Sequence, residues 1–337
     1  MRYKHLDGAN VDVSALAIGT WPMGNAGYGD ITDADSIAAI HAMVDNGVNI
    51  LDTAPDYGAG YSETVVGKAL KELDRSKIFV ATKGGAAKTT LRAVRTNSFY
   101  ARDGRYENIL YECEQSLRRL GTDYIDFYFI HWPDPTTPFS ETMEAMNKLK
   151  EQGKIRWVGL SNFQKDQIIE CGNTCTINAI QPPYSMVVRR DEELMKWAVE
   201  NRISTFSYGS IGAGILSGWV RQEPTFKHPM DPRVYFYPFY REPWFGKVMK
   251  LVDVLDEIGK EVGRPTVQVA INWQTQKPYV STALNGVRNA AEANENCAAF
   301  EWMLSDEQMA RIDAAIAEYI DFDATDRAAA PPVRKQF

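Results

Sequence analysis

Four side chains of types that donate, accept or position protons lie at or just after the ends of short apolar segments. Asp52, Lys83 and His131 each end such a segment, and Tyr57 lies in the loop after Asp52. Taken singly, each has an ordinary structural explanation, such as a cap, a solvated lysine or a hydrogen-bonded histidine near the core. Four such groups on consecutive units instead predict one site that carries out acid–base chemistry.

The elements that must position these groups alternate regularly along the chain. Eight short β-branched or aromatic segments predict the strands Ala15–Gly19, Ile50–Thr53, Ile78–Thr82, Ile125–Ile130, Arg156–Leu160, Ala179–Gln181, Ile203–Tyr208 and Tyr279–Leu284. Segments with helical apolar spacing predict the helices Asp33–Asn46, Glu63–Leu73, Tyr106–Leu120, Ser140–Gln152, Gln164–Cys171, Arg190–Glu200, Pro265–Gln276 and Asn289–Phe300. Thr32, Ser62 and Ser140 are the predicted N-caps.

The strands are apolar throughout rather than alternating, which predicts a parallel sheet buried on both faces. Eight strand–helix units of the α/β class close most simply into a (β/α)₈ TIM barrel, and an open doubly wound sheet is the alternative. A barrel places its active site at the carboxyl ends of the strands, where the four groups fall. A chain of 337 residues suits one such domain over 1–337, with a loose tail near 324–337.

Two segments lie outside the repeat. Met1–Val13 predicts a short hairpin, with Asp7-Gly8 at its turn, that closes the floor of the barrel. The stretch from Gly209 to Gly263 separates the seventh strand from its helix. It contains an aromatic loop, Pro229 to Phe245, and a predicted extra helix near Gly246–Val262. A lid over the site and a surface loop packed by its own aromatics both fit this loop.

Composition and charge exclude several classes of function. A net charge of −7 argues against a broad nucleic-acid-binding surface. No run of ~18 apolar residues predicts a membrane span, and no secretory signal is visible. The four cysteines lack the spacing of a zinc site. We expect a cytoplasmic monomer or homo-oligomer with reduced thiols, no bound metal, and neither nucleic acid nor membrane as a partner.

The chain resembles the aldo-keto reductase family from about Leu16 to Glu318. The matching motifs, in the order and spacing of the family, are Leu51-Asp52-Thr53-Ala54-Pro55-Asp56-Tyr57-Gly58, Ser62-Glu63, Thr82-Lys83, Ile130-His131-Trp132-Pro133-Asp134, Gly159-Leu160-Ser161-Asn162-Phe163, Gln181-Pro182-Pro183-Tyr184-Ser185, Gly214-Ile215-Leu216-Ser217-Gly218, Gly286-Val287-Arg288 and Glu295-Asn296. The resemblance implies an NAD(P)(H)-dependent oxidoreductase that interconverts a carbonyl and an alcohol. It makes Asp52, Tyr57, Lys83 and His131 the catalytic tetrad.

These residue types suit that reaction. Hydride reduction of a carbonyl leaves an alkoxide, which must receive a proton. A phenol can supply it, but its ordinary pKa of about 10 is high for work near neutrality. We therefore expect Lys83 to lower the pKa of Tyr57, Asp52 to keep Lys83 charged, and His131 to donate a hydrogen bond to the substrate oxygen. In reverse, the phenolate of Tyr57 is the base for alcohol oxidation.

The resemblance also implies a cofactor site. Ser161, Asn162 and Gln181 match residues that hydrogen-bond the nicotinamide carboxamide, and Tyr208 matches the aromatic side chain that stacks on its ring. The loop Gly209–Gly218 matches the one that wraps the pyrophosphate. Further cofactor residues implied in this way are Gly209, Ser210, Ile211, Gly214, Leu216, Gly286 and Asn296. No G-x-G-x-x-G opens a helix after a strand, which argues against a Rossmann fold.

The adenosine end of the implied cofactor site departs from the commoner family pattern. Leu284-Asn285-Gly286 stands where Ile-Pro-Gly is usual, and Arg288 suits the adenine or a 2′-phosphate. Glu292 stands where the family often has Arg or Gln facing that phosphate. A carboxylate repels a phosphate dianion but accepts a hydrogen bond from a ribose 2′-hydroxyl. Both NADP(H) and NAD(H) remain candidates, and Glu292 favours NAD(H) unless it points to solvent.

The substrate is specified less closely than the reaction. Trp21 and Trp132 are expected to wall the pocket, covered by one or more of Tyr235, Phe236, Tyr237, Phe239, Tyr240 and Trp244. Such walls suit a sugar or a small aldehyde. The alternative functions are a redox-sensing regulatory subunit of the same fold, as in the potassium-channel β-subunit relatives of this family, and an aldolase or isomerase in which Lys83 forms a Schiff base.

Overall fold

Eight parallel strands close on themselves in the computed structural model, which describes residues 1–24, 31–96, 101–225, 231, 233 and 237–322. The barrel strands are β3 (Leu16–Gly19), β4 (Ile50–Asp52), β5 (Phe79–Gly84), β6 (Ile125–Ile130), β7 (Ile155–Ser161), β8 (Ala179–Gln181), β9 (Ser204–Ser207) and β10 (Thr282–Gly286). They follow chain order around the barrel, and β10 pairs with β3 in the register Ala283↔Leu16. The predicted barrel is thus confirmed, because an open sheet would leave one side of each edge strand unpaired.

Helices surround the barrel and alternate with its strands along the chain. They are α1 (Asp33–Asp45), α2 (Tyr61–Leu70), α3 (Leu91–Thr96), α4 (Tyr106–Leu120), α5 (Phe139–Glu151), α6 (Lys165–Gly172), α7 (Glu192–Glu200), α8 (Trp244–Val262), α9 (Thr266–Gln276), α10 (Ala290–Cys297) and α11 (Asp306–Tyr319). Helix α8 is the predicted extra helix, whereas α3 and α11 carry no sequence prediction. One α-helix was therefore missed in the loop after β5 and another near the carboxyl end.

Helix starts were predicted less well than helix positions. Thr32 caps α1 by accepting a hydrogen bond from the Asp35 amide. The predictions for Ser62 and Ser140 are wrong, because α2 begins at Tyr61 and α5 at Phe139. Buried Ser62 instead donates its hydroxyl proton toward Thr20, so tertiary contacts use the group that would have capped the helix.

The amino-terminal hairpin closes the floor of the barrel. Its strands β1 (Tyr3–Leu6) and β2 (Val11–Ser14) are antiparallel, and the Asn178 side chain donates to the Gly8 carbonyl at 2.6 Å. Asn178 immediately precedes β8, so the contact lies at the amino ends of the strands. The buried residues Leu6 and Val13 pack into the apolar interior of the barrel.

Strand alternation directs the ionisable groups into the mouth of the barrel. On β5, Ala81 belongs to the apolar interior, so Lys83, two residues on, faces inward at the carboxyl end. Thr82 between them faces the helices, where it donates to Glu63 at 2.6 Å.

No helix among the residues described is long and apolar enough to cross a membrane. The four cysteines are free and buried.

Candidate active site

Lys83 contacts two of the other three predicted catalytic groups, Asp52 and Tyr57. Its Nζ lies 2.7 Å from Asp52 Oδ1, 2.9 Å from the Thr53 carbonyl oxygen and 3.2 Å from the Tyr57 hydroxyl. Lys83 and Asp52 are fully buried, at 0% and 1% exposure. The rings of Tyr57 and His131 meet edge to face with centroids 6.2 Å apart. The four strand-end groups therefore come together at one mouth, as the strand-end argument predicted.

Burial opposes the charges of the buried pair. It lowers the pKa of Lys83 and raises the pKa of Asp52, and the contact between the two groups counters both shifts. All three ammonium protons have acceptors: a carboxylate, a carbonyl and a phenol. The lysine is consequently fixed in place, and its proton donors are aligned toward Tyr57.

The expected lowering of the Tyr57 pKa is wrong for this arrangement. Burial raises the pKa of Tyr57 well above its ordinary value, and the negative charges of Asp52 and Asp56 add to the shift. Lys83 does not reverse the shift, because its charge is already balanced by Asp52 at 2.7 Å. The phenol therefore stays protonated at neutral pH and is available as a proton donor.

His131 is a neutral imidazole. Burial, with the nearby Lys83 charge, holds its pKa well below the ordinary value. Its Nδ1 is enclosed and has no hydrogen-bond partner in the part of the chain described. The backbone on either side is held, because the His131 amide donates to Gly84 and the Asn162 side chain donates to the His131 carbonyl. A neutral ring with one N–H suits donation of a hydrogen bond to a substrate oxygen.

The predicted nicotinamide-binding residues form a hydrogen-bonded chain that starts at the tetrad. Gln181 donates to Asp52 Oδ2 at 2.7 Å, and the Ser161 hydroxyl donates to the Gln181 carbonyl at 2.9 Å. Asn162 donates to Ser161 at 3.1 Å and accepts from the Tyr208 hydroxyl at 2.8 Å. Residues from the ends of β7, β8 and β9 are thus one polar surface beside the catalytic groups, which is compatible with a nicotinamide carboxamide.

The predicted pyrophosphate loop is shaped by backbone conformations that favour glycine. Gly209 has φ 72° and Gly214 has φ 102°, on either side of the start of a 3₁₀ helix at Gly212–Ser217. Ser210 anchors the loop by donating to the Leu284 carbonyl of β10 at 2.6 Å. A Cβ added at Gly209 would meet no atom within 4 Å, so open space borders the backbone there. Such a cradle fits the backbone of a dinucleotide.

The side chains of this loop serve the core rather than the cradle. Leu216 is fully buried, and partly buried Ile211 packs against the apolar cluster to which Leu216 belongs. The Leu216 side chain is therefore not available to a cofactor, and its backbone groups are what it can offer. At the end of β10, Gly286 leaves the barrel rim without a side chain, and Asn296 lies buried on α10 at 5% exposure.

At the predicted adenosine end, Glu292 pairs with Arg288 and stays partly exposed. The Arg288 amide donates to Glu292 Oε2 at 2.9 Å, and its Nε donates to Oε1 at 2.9 Å. Both are partly exposed, at 57% for the Arg288 side chain and 29% for that of Glu292. The carboxylate therefore neutralises the one cation that sequence analysis assigned to the cofactor's 2′ position.

Aromatic residues border the catalytic groups on two sides. Trp21 stacks on Tyr57 with ring centroids 6.1 Å apart, and the Trp132 ring lies 6.3 Å from that of His131. The ring of Trp244, predicted as a pocket residue, stacks on Phe322 at 5.4 Å, at the carboxyl end of the described chain. Tyr235, predicted beside it, lies outside the described residues, as do Phe236 and the tail 324–337.

The lid interpretation finds support in the residues that follow. Tyr237 is partly buried, and it is electrostatically coupled to Tyr57 and Tyr208, so it lies near both. Tyr240 donates its hydroxyl proton to the Ala213 carbonyl at 2.8 Å and so ties this segment to the glycine loop. Phe239 between them is fully buried.

Two carboxylates near the tetrad were not assigned roles from sequence. Glu63 is fully buried behind Lys83, where it accepts from Thr82 and from Arg119 Nε, each at 2.6 Å. Asp56 immediately precedes Tyr57 and raises its pKa. The sequence signal that could have identified Asp56 is a second carboxylate, four residues after Asp52, in the loop that follows β4. Within the ranges described, no group of three or more His, Cys, Asp or Glu residues is arranged to hold a metal ion.

Comparison with known proteins agrees with this geometry. The model of the Aldo/keto reductase family matches residues 15–317. The chain is 34% identical over 339 residues to aldo-keto reductase YhdN of Bacillus subtilis, covering 100% of both chains. It is 32% identical over 321 residues to the NADH-specific methylglyoxal reductase of Escherichia coli, covering 91% of this chain and 95% of that one.

A solved structure is similar over nearly the whole length. The glycerol dehydrogenase AKR11B4 of Gluconobacter oxydans superimposes with a TM-score of 0.83 at 31% identity, covering 99% of this chain and 98% of that one. The family model, the full-length relative and the shared barrel agree with the geometry of the mouth. The chain therefore belongs to the aldo/keto reductase family and is an oxidoreductase.

Proposed function

We propose that this protein interconverts the carbonyl and alcohol forms of a small substrate with a freely bound nicotinamide cofactor, and that it favours NAD(H). The observation that carries the proposal is the contact set of Lys83, which fixes Asp52 and the Tyr57 hydroxyl around one buried ammonium group. This geometry presents a protonated phenol at the mouth of the barrel, beside a polar surface suited to nicotinamide.

The protein's own groups have distinct parts in this reaction. The bound cofactor supplies or accepts the hydride. Tyr57 delivers its hydroxyl proton to the oxygen of the reduced carbonyl, and its high pKa keeps that proton in place until then. Lys83 stabilises the phenolate left behind, because its Nζ is 3.2 Å from that oxygen. His131, held neutral by burial, orients the substrate oxygen by a hydrogen bond.

The preference for NAD(H) rests on the Arg288–Glu292 pair. A 2′-phosphate approaching Arg288 would meet a guanidinium group already neutralised and a carboxylate that repels it. A ribose 2′-hydroxyl would instead find an acceptor in Glu292. The Escherichia coli relative is named as an NADH-specific reductase, which is consistent with this preference.

The substrate we propose is a small aldehyde or a sugar. Trp21 and Trp132 offer apolar ring faces beside the tetrad, and partly buried Tyr237 lies near Tyr57. Two relatives carry names that refer to methylglyoxal and glycerol, which are small oxygenated molecules.

The test is the variant Tyr57→Phe, with Tyr61→Phe as its matched control. Tyr61 lies four residues on, is 38% exposed and bonds to Asp33 on the helical layer. Removing the Tyr57 hydroxyl is expected to lower kcat about 10²–10⁴-fold while the Kd for NADH changes less than about twofold. Tyr61→Phe should retain full activity.

Either of two results would contradict the proposal. Full turnover by Tyr57→Phe would remove the tyrosine from the mechanism. A wild-type protein that binds cofactor but completes only one slow turnover on every aldehyde and alcohol tried would instead favour a redox-sensing regulatory subunit. Steady-state kinetics with excess substrate separates rapid multiple turnover from that behaviour.

A further inference from the structure

Glu112 is a buried carboxyl group that the proposed mechanism does not use. It lies in the middle of α4 and is fully buried, at 0% exposure. Among the described residues no cation pairs with it, and the charges that act on it, those of Asp103 and Glu63, have the same sign as its own. Burying such a group costs free energy unless hydrogen bonds replace the lost water. The partners of Glu112 therefore indicate why the fold keeps it.

Glu112 reaches the end of the strand that carries Lys83. Its Oε2 accepts a hydrogen bond from the Gly85 amide at 2.7 Å, and its Oε1 accepts one from the Asn108 side chain at 3.2 Å. Gly85 directly follows β5, and its φ of 84° turns the chain away from the strand. A buried backbone amide needs an acceptor, and Glu112 supplies one at the point where strand pairing ends.

The peptide that joins Gly84 to Gly85 also holds His131. The Gly84 carbonyl oxygen accepts from the His131 amide at 2.9 Å, at the end of the pairing between β5 and β6 where Gly84 lies opposite Ile130. Because a peptide unit is planar, its C=O and N–H groups turn together. Glu112 on the N–H side and His131 on the C=O side therefore bind opposite sides of one rigid unit.

The imidazole of His131 depends on its backbone for its position. Its Nδ1 has no hydrogen-bond partner in the described part of the chain, so no bond at that atom orients the ring. Gly84 instead holds the His131 amide, and Asn162 holds its carbonyl oxygen at 3.0 Å. A turn of the peptide between Gly84 and Gly85 would therefore shift the backbone of His131, and with it the ring.

Resting on the proposed function, we propose that Glu112 is a positioning residue: by holding the peptide between Gly84 and Gly85, it places His131 for its hydrogen bond to the substrate oxygen. The carboxyl group acts through the backbone, so it needs no access to the substrate. A side chain of similar length without an acceptor oxygen would release the Gly85 amide, whereas one with an acceptor would keep it. Misplacing a catalytic group by about 1 Å can cost about 10²-fold in rate.

The test compares Glu112→Met with Glu112→Gln, two unbranched side chains of similar length of which only glutamine has an acceptor oxygen. The assay is reduction of glyceraldehyde with NADH. Glu112→Met is expected to lower kcat/KM about 10- to 100-fold, while the Kd for NADH changes less than about twofold. Glu112→Gln should stay within about threefold of the wild-type kcat/KM, because its amide oxygen can accept from Gly85.

A second measurement follows the His131 backbone without substrate or cofactor. The chain has four histidines, so protein labelled with ¹⁵N at histidine gives four backbone amide signals in its NMR spectrum. The variant His131→Asn identifies the signal of His131 by its loss. Glu112→Met should shift or broaden that signal while those of His5 and His41 stay in place. Glu112→Gln should leave all of these signals near their wild-type positions.

The control is Glu114→Met, which makes the same substitution two residues further along α4, where the carboxylate bonds to Lys154. It should keep the wild-type kcat/KM and the wild-type His131 signal. An unchanged kcat/KM or an unmoved His131 signal in Glu112→Met would overturn the inference, and so would an equal loss in Glu112→Gln. If Glu112→Met is misfolded by circular dichroism, Glu112→Ala decides by the same two measurements, since alanine also lacks an acceptor and favours a helix.

The outcomes also separate this inference from the function on which it rests. Turnover by wild type that Glu112→Met leaves unchanged would overturn the role of Glu112 and leave the proposed oxidoreductase intact. Wild type that turns over no aldehyde, and no alcohol with NAD⁺ or NADP⁺, would overturn the proposed function. The His131 signal would then decide separately whether Glu112 holds that peptide.

Discussion

Replacing Glu292 with glutamine is expected to shift cofactor preference toward NADPH. In the native chain, the carboxylate accepts from both the backbone amide and Nε of Arg288. Glutamine keeps the size of the side chain and one acceptor oxygen but removes the negative charge. Arg288 would then present an unbalanced positive charge to a 2′-phosphate.

The magnitude follows from the exposure of the pair. With Arg288 at 57% exposure, a water-like dielectric applies. Two unit charges roughly 6 Å apart then interact by about 0.7 kcal/mol, so a phosphate dianion gains about 1.4 kcal/mol, or about tenfold in Kd. NADH lacks the phosphate and loses at most one hydrogen bond to the carboxylate, about 3- to 10-fold. The ratio of the Kd for NADPH to that for NADH should fall about 10- to 100-fold in Glu292→Gln.

The assay is titration of the protein with each cofactor, followed by quenching of tryptophan fluorescence. Trp21 and Trp132 lie beside the tetrad and are positioned to report. Repeating the titrations at higher ionic strength should shrink the gain for NADPH, because salt screens partly exposed charges. The matched control is Glu261→Gln, which removes a carboxylate bonded to Arg311 between α8 and α11.

An unchanged cofactor ratio in Glu292→Gln would refute the reasoning and remove the pair from cofactor selection. An equal shift in Glu261→Gln would also refute it, because overall charge would then explain the effect. Wild type that binds NADPH more tightly than NADH would show that Arg288 dominates in spite of its neutralisation by Glu292.

Two further predictions concern buried carboxylates behind β5. Glu63→Ala should lower the free energy of unfolding by about 3–5 kcal/mol in urea denaturation, because it leaves Arg119 and Thr82 without their buried acceptor; a loss below about 1 kcal/mol would mean that water replaces the carboxylate. Burial raises the pKa of Glu112 to about 8, so the folded protein favours the protonated form, and this contribution is lost as pH rises toward 8. The stability of Glu112→Gln relative to wild type should therefore rise by up to about 1.4 kcal/mol per pH unit between about pH 5 and pH 8, and a difference independent of pH would contradict the shift.

Local patterns in the sequence determine the barrel and the meeting of the tetrad. Apolar strands alternating with amphipathic helices are a short-range signal, and a closed parallel barrel brings all carboxyl ends of its strands to one mouth. Asp52, Lys83 and His131 therefore had to converge once their strands were identified. The strands β6 and β8 have the predicted bounds, because apolar residues and polar turns delimit them locally.

The tertiary structure decided whatever depends on contacts between distant elements. Burial raises the pKa of Tyr57, where the sequence predicted a lowered one. Lys83 does not reverse this shift, because it also donates to Asp52 and to the Thr53 carbonyl. Trp244 packs on Phe322, a partner that no local pattern identifies. Composition and spacing determine which elements form, whereas side-chain direction and the local dielectric arise only when those elements enclose one another.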